Sequence, residues 1–372
     1  MEQFCQDKTY NIAIVGAGPA GVYCALNLAL KFKEANFDKY KISIFDKSQA
    51  LRTILPTGGG RCNITNAIFD IKEFASNYPR GEKFLYSLFS SHFNYDSIEF
   101  FNKIGIKTYI QSDGRIFPKS NSAKDVKDKM LSALKKYKNI KLINKEIFNK
   151  NELENFDRIV LCAGSRNTTK LIQSFKQPME EFKRALCALK VENFNFPKGI
   201  SIKALDGDFV TTSDGISGPL AFKISSLNVD LPFPYKIEIN LFNAEELEKL
   251  IQLNTKKTIG ILISKLIPKS FAQVHVSEFN KKASEISKER LKQLSKLELN
   301  ILGNSSLGEI VHKGGVCLDS VDKNCKSKIC DNLWFCGEIL NIDGFCGGFN
   351  LQNCWSSAYV VANDVVRSII NK

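Results

Sequence analysis

The residues with the plainest chemical meaning are Gly16, Ala17, Gly18, Pro19, Ala20 and Gly21, set between a short apolar run and a helical pattern. Three glycines at this spacing do three things: Gly16 permits a tight turn, Gly18 lets a ligand approach the backbone, and Gly21 allows helix to pack closely on strand. The helix N-terminus that follows concentrates positive potential where a pyrophosphate would lie. The pattern calls for an acid at the end of the next strand, and Asp46 in KISIFDKS stands there. An acid at that point repels a 2′-phosphate, which favours FAD or NAD over NADP.

Two further segments have the same character. Residues 57–66, TGGGRCNITN, place three glycines before Arg61, Cys62 and Asn63. Exposed backbone amides and a fixed guanidinium suit an anion or a flat ring approached by the backbone. Near the C-terminus Gly337 and Glu338 precede a glycine-rich stretch, Asp343 to Gln352, that opens a helix containing Asn350 and Leu351. A helix N-terminus aimed at a flavin ring would stabilise the anionic reduced form. Glycine loops at both ends of the chain imply that the two ends build one cofactor domain.

The elements that must position these loops are legible as patterns. Asn11 to Val15 and Lys41 to Phe45 read as buried parallel strands, with a covered helix from Val22 to Leu30 between them. Helices are expected around 70–79 and 81–103, and over 122–137, where Ser122 and Asp125 resemble a capping box. Arg158 to Cys162 reads as the next strand, closing on Ala163 and Gly164. From 183 to 242 short alternating segments suggest antiparallel strands, 243–300 is helical in period, and EIVHKGGVCL and LWFCGE are strands again.

Composition limits the function classes. The 372 residues exceed one ordinary core, and 44% hydrophobic with 24% charged residues is a globular balance. Eleven cysteines, an odd number without a C-x-x-C spacing, argue against a disulfide framework or zinc ribbon and for a reducing, cytoplasmic setting. The charge-poor run 10–30 is broken by glycines and a proline, so no membrane span is expected. The net charge of +13 raises the question of a polyanionic partner. Residues 119–150 carry ten lysines against three acids, mostly on the outer face of one amphipathic helix and without interleaved aromatics, so a solvated face is preferred to a nucleic-acid surface.

Taken in order, GAGPAG, TGGGRCNITN, DGRIFP, DGISGP, KGGV and GEILNIDGFCGGFNLQNCWSSAY resemble the BaiN-like flavoproteins, also known as aminoacetone-oxidase-like FAD-binding enzymes. The resemblance spans nearly the whole chain. It implies an α/β fold: a Rossmann-like FAD-binding domain (1–182 and 315–372), an inserted β-barrel domain (183–242 and 301–314), and a helical insertion within it (243–300). It also implies roles. Gly16 to Gly21 would hold the pyrophosphate, Asp46 and Lys47 the adenosine ribose, and Ile147 the adenine region. Gly60, Arg61, Cys62 and Asn63 would lie near the pyrophosphate and flavin, Ala163 and Gly164 beside the FAD. Gly337 belongs to the same loop as Glu338, which with Asn350 and Leu351 would follow the ribityl chain and ring.

The chain departs from the family pattern in places. Leu51, Arg52 and Thr53 replace a usual Gly-Arg-Lys, Ser165 follows Gly164 where a second glycine is usual, and His312 and Lys313 replace small residues before Gly314. A histidine at that strand end is expected to be solvated. No residue stands out as a general acid or base, and His92 and His275 read as structural or exposed.

The function that follows is an FAD-dependent oxidoreductase acting on a small-molecule substrate. It would be either a reductase with NAD(P)H as transient electron donor or an amine oxidase releasing peroxide. The absence of a second strand-linked glycine fingerprint leans against a separate NAD(P)H domain. The reading from another class is an RNA-associated flavoprotein using the lysine face. Oligomeric state is not legible.

Overall fold

The computed structural model describes residues 8–165, 167–305 and 311–371. The segment 306–310, expected in the inserted domain and at the start of a strand, lies outside the described residues, as does Cys5. The chain forms two compact units, Met1–Lys183 with His312–Lys372, and Arg184–Val311.

In the first unit, five strands form one sheet in the order Leu333–Phe335, Arg158–Leu161, Tyr10–Val15, Tyr40–Asp46, Ile140–Asn144. Every neighbouring pair is parallel. This is the Rossmann-like arrangement expected. Ile12, Ala13, Ile14, Val160, Leu161, Trp334 and Phe335 are buried, as parallel strands covered on both faces require. The helices Pro19–Glu34 and Phe349–Ile370 bury Val22, Tyr23 and Leu26, and Trp355, Ala358 and Val361, in the same core. Because all five strands run one way, the loops after their C-terminal ends gather on one edge. That edge is where open α/β sheets take ligands.

Several local elements differ from the sequence reading. The single helix expected over 81–103 is two, Glu82–Ser91 and Asn94–Lys103. The break comes at His92 and Phe93, where Phe93 N donates to Asp96 Oδ2 at 2.7 Å and starts a new helix. A small sheet of Thr65–Asn66, Arg115–Pro118 and Thr108–Ile110, too short to show in the pattern, packs behind the TGGGRCN loop. The strand before Ile147 ends at Asn144.

The second unit holds a six-stranded antiparallel sheet in the order Ser201–Ala204, Gly207–Thr211, Gly215–Ser217, Leu189–Val191, Lys296–Asn304, Tyr235–Asn240. Its outer strands meet at one end, where Leu205 N donates to Asn240 O at 2.9 Å and Asn240 N donates to Asp206 Oδ2 at 2.7 Å. The sheet therefore curls toward a barrel. Its core, with Ile202, Phe209, Ile216, Ile239 and Leu299, extends over helices carrying Leu247, Leu262, Phe271 and Leu291. Residues 296–300, read as helical, belong to the strand Lys296–Asn304, and Pro219–Leu227, read among strands, is a helix. Alternation alone does not separate these states in short apolar runs.

Candidate functional site

Three adjacent strands of the parallel sheet end on glycines. The first runs into Gly16, whose φ is 106° and where a Cβ would lie 2.4 Å from Cys162 O and 2.7 Å from the Ala163 Cα. Gly21 lies one turn later, where a Cβ would fall 1.9 Å from Gly16 O. Both glycines are required by protein packing. Gly18 is different: its φ is −74°, and a Cβ there would meet only Thr53 Oγ1, at 3.7 Å. Gly18 is also the N-cap of the helix that opens with Pro19, so no side chain covers that helix end.

Asp46 ends the neighbouring strand, and its carboxylate ties the turn together. Oδ2 accepts from Ala17 N at 2.7 Å, and Oδ1 accepts from Ser48 N at 2.7 Å and Ser48 Oγ at 2.8 Å. A carboxylate offers about four acceptor positions. Three are engaged, so Asp46 is a turn-builder first, with room for about one ligand hydroxyl. Lys47 pairs with Glu146 across 2.6 Å and is exposed, while Ile147 is buried in the core. Leu51, at φ 57°, donates its N–H to Ala17 O at 2.8 Å, so the segment that departs from the family pattern is anchored on the glycine turn.

The TGGGRCN loop has Gly58, Gly59 and Gly60 at φ 58°, 67° and 83°, a run that side chains would strain. Around Gly59 no atom lies within 4 Å of an added Cβ. Arg61 bends back, donating to Gly58 O and Gln111 Oε1, with its guanidinium 4.0 Å from the Phe117 ring centre. Cys62 is fully buried, and burial pushes its thiol up to about 12. Asn63 is buried too. With its carboxamide oriented to suit its neighbours, it donates to Thr65 O and Ile116 O and accepts from Gly348 N at 2.9 Å. Arg61, Cys62 and Asn63 thus brace the loop from within.

Asn63 thereby joins the loop to the start of the last helix, whose N-cap is Gly348 at φ 96°. The same helix start is held by Asn66 Nδ2 on Gly347 O, Tyr78 Oη on Phe349 O, and Trp355 Nε1 on Ile64 O. Asn350 closes its own loop, exchanging two hydrogen bonds with Gly344 at 2.8 and 2.7 Å. Leu351 is half-buried against the core. Asp343 is fully buried and paired with Arg80.

The third glycine-ended strand leads to Gly337, where a Cβ would lie 2.8 Å from the Ala20 Cβ and 3.3 Å from Cys354 Sγ. Next to it, Glu338 faces Gly164, whose added Cβ would be 3.8 Å from Glu338 Oε2. Glu338 Oε1 accepts from His312 N at 3.0 Å and from Ser165 Oγ at 3.3 Å, and Ser165 Oγ lies 2.7 Å from His312 Nδ1. His312 is therefore not a solvated strand-end residue. Its side chain is 13% exposed and locked between two site loops. Sequence reasoning missed this cluster, though three polar residues in three glycine-bearing segments were the available signal.

The family description "HI0933-like protein Rossmann domain" matches residues 10–364, nearly the whole chain. The chain belongs to the HI0933-like family. Among its curated relatives is the ribosomal RNA dihydrouridine synthase of Haemophilus influenzae, 25% identical over 95% of this chain and 98% of the relative. Another is the 3-dehydro-bile acid delta(4,6)-reductase of Clostridium scindens, 25% identical over 94% and 97%. Among solved structures, the 3-ketosteroid delta1-dehydrogenase of Sterolibacterium denitrificans is 11% identical, covering 97% of this chain and 100% of that one at a TM-score of 0.54, a likeness of fold. No helix among the described residues is long and apolar enough to cross a membrane. In this HI0933-like chain the described residues include no cluster of metal-ligating side chains.

Proposed function

We propose that the chain is an FAD-dependent reductase that adds hydrogen across a carbon–carbon double bond conjugated with a carbonyl group. The observation that carries the cofactor assignment is Gly18. Protein packing does not require a glycine there, whereas a pyrophosphate lying on an uncapped helix N-terminus does. The residues fit FAD: Asp46 retains room for a ribose hydroxyl, and the open positions over Gly59 and Gly164 admit close approach by a flat or extended group.

FAD, when bound, supplies the two-electron redox chemistry. The chain's residues supply the rest. Gly16 to Gly21 and the helix dipole hold the phosphates, and Asp46 orients the ribose. Gly58 to Gly60 and the start of the last helix, pinned together through Asn63 and Gly348, fix the loops on either side of the cofactor. Arg61, stacked on Phe117, contributes positive charge without swinging free.

The choice of reaction rests on the relatives. A dihydrouridine synthase and a delta(4,6)-reductase differ in substrate size, yet both saturate a ring double bond conjugated with a carbonyl. That shared chemistry supports a reductase over an amine oxidase, with NAD(P)H as the electron donor. A second reading, that the conjugated ring is a uracil within RNA, is favoured by the synthase relatives and by the net charge of +13. Against it, Lys124, Lys129 and Lys145 already pair with Asp128, Asp125 and Glu152.

The test is anaerobic photometry of the purified protein loaded with FAD. NADH or NADPH should bleach it, and either cyclohex-2-enone or a uridine-containing transcript should restore the colour without oxygen. Bleaching by amines instead, with recovery only in air and release of peroxide, would overturn the reductase reading. A protein unable to retain FAD would overturn the cofactor assignment.

A further inference from the structure

The last helix, Phe349–Ile370, buries Trp355, Ala358, Val361, Ala362 and Val365 in the core, and its C-terminal half carries a second, polar face. On that face Tyr359, Asn363 and Arg367 form one row four residues apart and Val360 and Asp364 another, and together they line a cavity of about 270 Å³. Ser91 and Asn324 complete the lining. We propose that this cavity binds a free α-amino acid as its zwitterion, with the carboxylate on Arg367 and the ammonium group on Asp364. The cavity lies in the half of the helix away from Gly348, and the proposal does not depend on the reaction that the protein performs.

Opposite charges three positions apart on a helix ordinarily pair with each other. Here they are held apart. Asp364 Oδ2 accepts from Trp334 Nε1 at 2.8 Å and Oδ1 accepts from Asn324 Nδ2 at 3.0 Å, which turns the carboxylate toward those partners. Asn324 is itself fixed, its main-chain N–H donating to Asp322 Oδ1 at 2.9 Å. A carboxylate offers about four acceptor positions, so about two remain on Asp364. Arg367 is exposed and makes no ion pair or side-chain hydrogen bond with any described residue, and neither does the Asn363 carboxamide. An exposed arginine alone is a solvated charge; the cavity shared with a half-used carboxylate and an unused amide is what points to a ligand.

An α-amino acid carries its two charges on one carbon, which matches a cation and an anion one helical turn apart. A guanidinium takes a carboxylate through two parallel N–H donors, and an ammonium group has three donors for Asp364 and the Asn363 carbonyl oxygen. A simple anion such as phosphate would meet the like charge of Asp364, and a simple amine that of Arg367. The remaining lining suits a side chain. Val360 is apolar, and the Tyr359 ring is held between Lys31 Nζ and the His92 ring, each 4.3 Å from its centre. The volume falls just below the range of about 300–1,000 Å³ for drug-sized ligands, as a molecule of amino-acid size requires.

The chain supplies its own reporter. Of its two tryptophans, Trp334 donates its indole N–H to Asp364, whereas Trp355 donates to Ile64 O. In 1H–15N spectra of the full chain with FAD added, the common L-amino acids are titrated one at a time, and Trp334→Phe assigns the indole signals. At least one amino acid should shift the Trp334 signal at millimolar concentration and leave Trp355 in place. Arg367→Gln, at an exposed position, should keep the Trp355 signal and weaken that amino acid about 10- to 100-fold, the range for losing hydrogen bonds to a charged group. The matching acid without its amino group, and the matching amine without its carboxylate, should each bind at least about tenfold more weakly. No shift of Trp334 by any amino acid at about 10 mM overturns the proposal. So does equal binding by the deaminated acid or by inorganic phosphate, which would make the cavity a simple anion site, and so does unchanged affinity in Arg367→Gln.

Discussion

Gly21 and Gly16 touch so closely that a single added methyl on Gly21 would sit 1.9 Å from the Gly16 carbonyl oxygen, whereas Gly18 between them faces only Thr53 Oγ1 at 3.7 Å. Glycines of one motif thus answer to different forces, packing at the ends and ligand approach in the middle.

Gly21→Ala and Gly18→Ala should therefore separate. Gly21→Ala should destabilise the protein without FAD by about 2–4 kcal/mol, in the range of severe overpacking. Gly18→Ala should leave that stability within about 0.5 kcal/mol, as for an unstrained surface change, yet weaken FAD at least about tenfold. Denaturant melts without FAD and flavin titrations check both. Equal destabilisation by the two substitutions would contradict the division.

His92 gives a pH dependence with a definite sign. Burial, aided by the Lys31 charge, lowers its imidazole from 6.5 to about 3, and its Nε2 lies 2.8 Å from Tyr23 Oη. The unfolded chain takes up a proton below about 6.5 that the folded one refuses until about 3. Its contribution to stability is therefore complete above about pH 6.5 and is lost as pH falls through that window. Between pH 7 and 5 the native protein should lose about 2 kcal/mol from this group, at about 1.4 kcal/mol per pH unit below 6.5. His92→Gln should lack that part of the slope in denaturation measured at both pH values; an identical slope would remove the assignment.

The Arg80–Asp343 pair anchors the glycine-rich loop that leads into the last helix. Asp343 is fully buried, so Arg80→Leu should strand a carboxylate and cost about 3–5 kcal/mol. Pairing it with Asp343→Leu should recover much of that loss, because two apolar groups leave no buried charge behind. Urea melts of the two singles and the double measure it. A double variant as unstable as the sum of the singles would speak against a coupled pair.

Thiol chemistry should separate the cysteines by exposure. Cys346 is the exposed thiol among the described residues, though desolvation pushes it up to about 11, while Cys62 is buried and its thiol is pushed up to about 12. Iodoacetamide on native protein at pH 8, followed by peptide mass spectrometry, should modify Cys346 before the other cysteines of the described residues and leave Cys62 untouched. Early labelling of Cys62 would mean that the TGGGRCN loop opens.

The sequence by itself determined the opening strand–helix–strand unit of the parallel sheet and its glycine turn. Their signals are local: an apolar run, glycines at set spacing, and an acid at the end of the next strand all lie within positions 10–46. The start of the last helix was equally legible, because the glycine-rich stretch gives way at Asn350 to a segment that keeps an apolar face. Short elements were not. The strand pair around Thr65 and Arg115, the helix at Pro219–Leu227 and the strand at Lys296–Asn304 are fixed by distant partners, which outweigh local preference in brief segments.

Side-chain roles divided the same way. Asp46 was placed at its strand end by position alone, but only the tertiary structure shows it spending three acceptor positions on Ala17 and Ser48. Asn63 reads as a ligand-facing residue in its motif, and in the fold it fastens Gly348. His312 stands 147 positions from Ser165 and 26 from Glu338, distances across which sequence pattern carries no information about contact. Parallel strands deliver their C-terminal loops to one side of the sheet, which brings Ser165 and Glu338 together, and only the separate strand Val311–Val316 sets His312 against them.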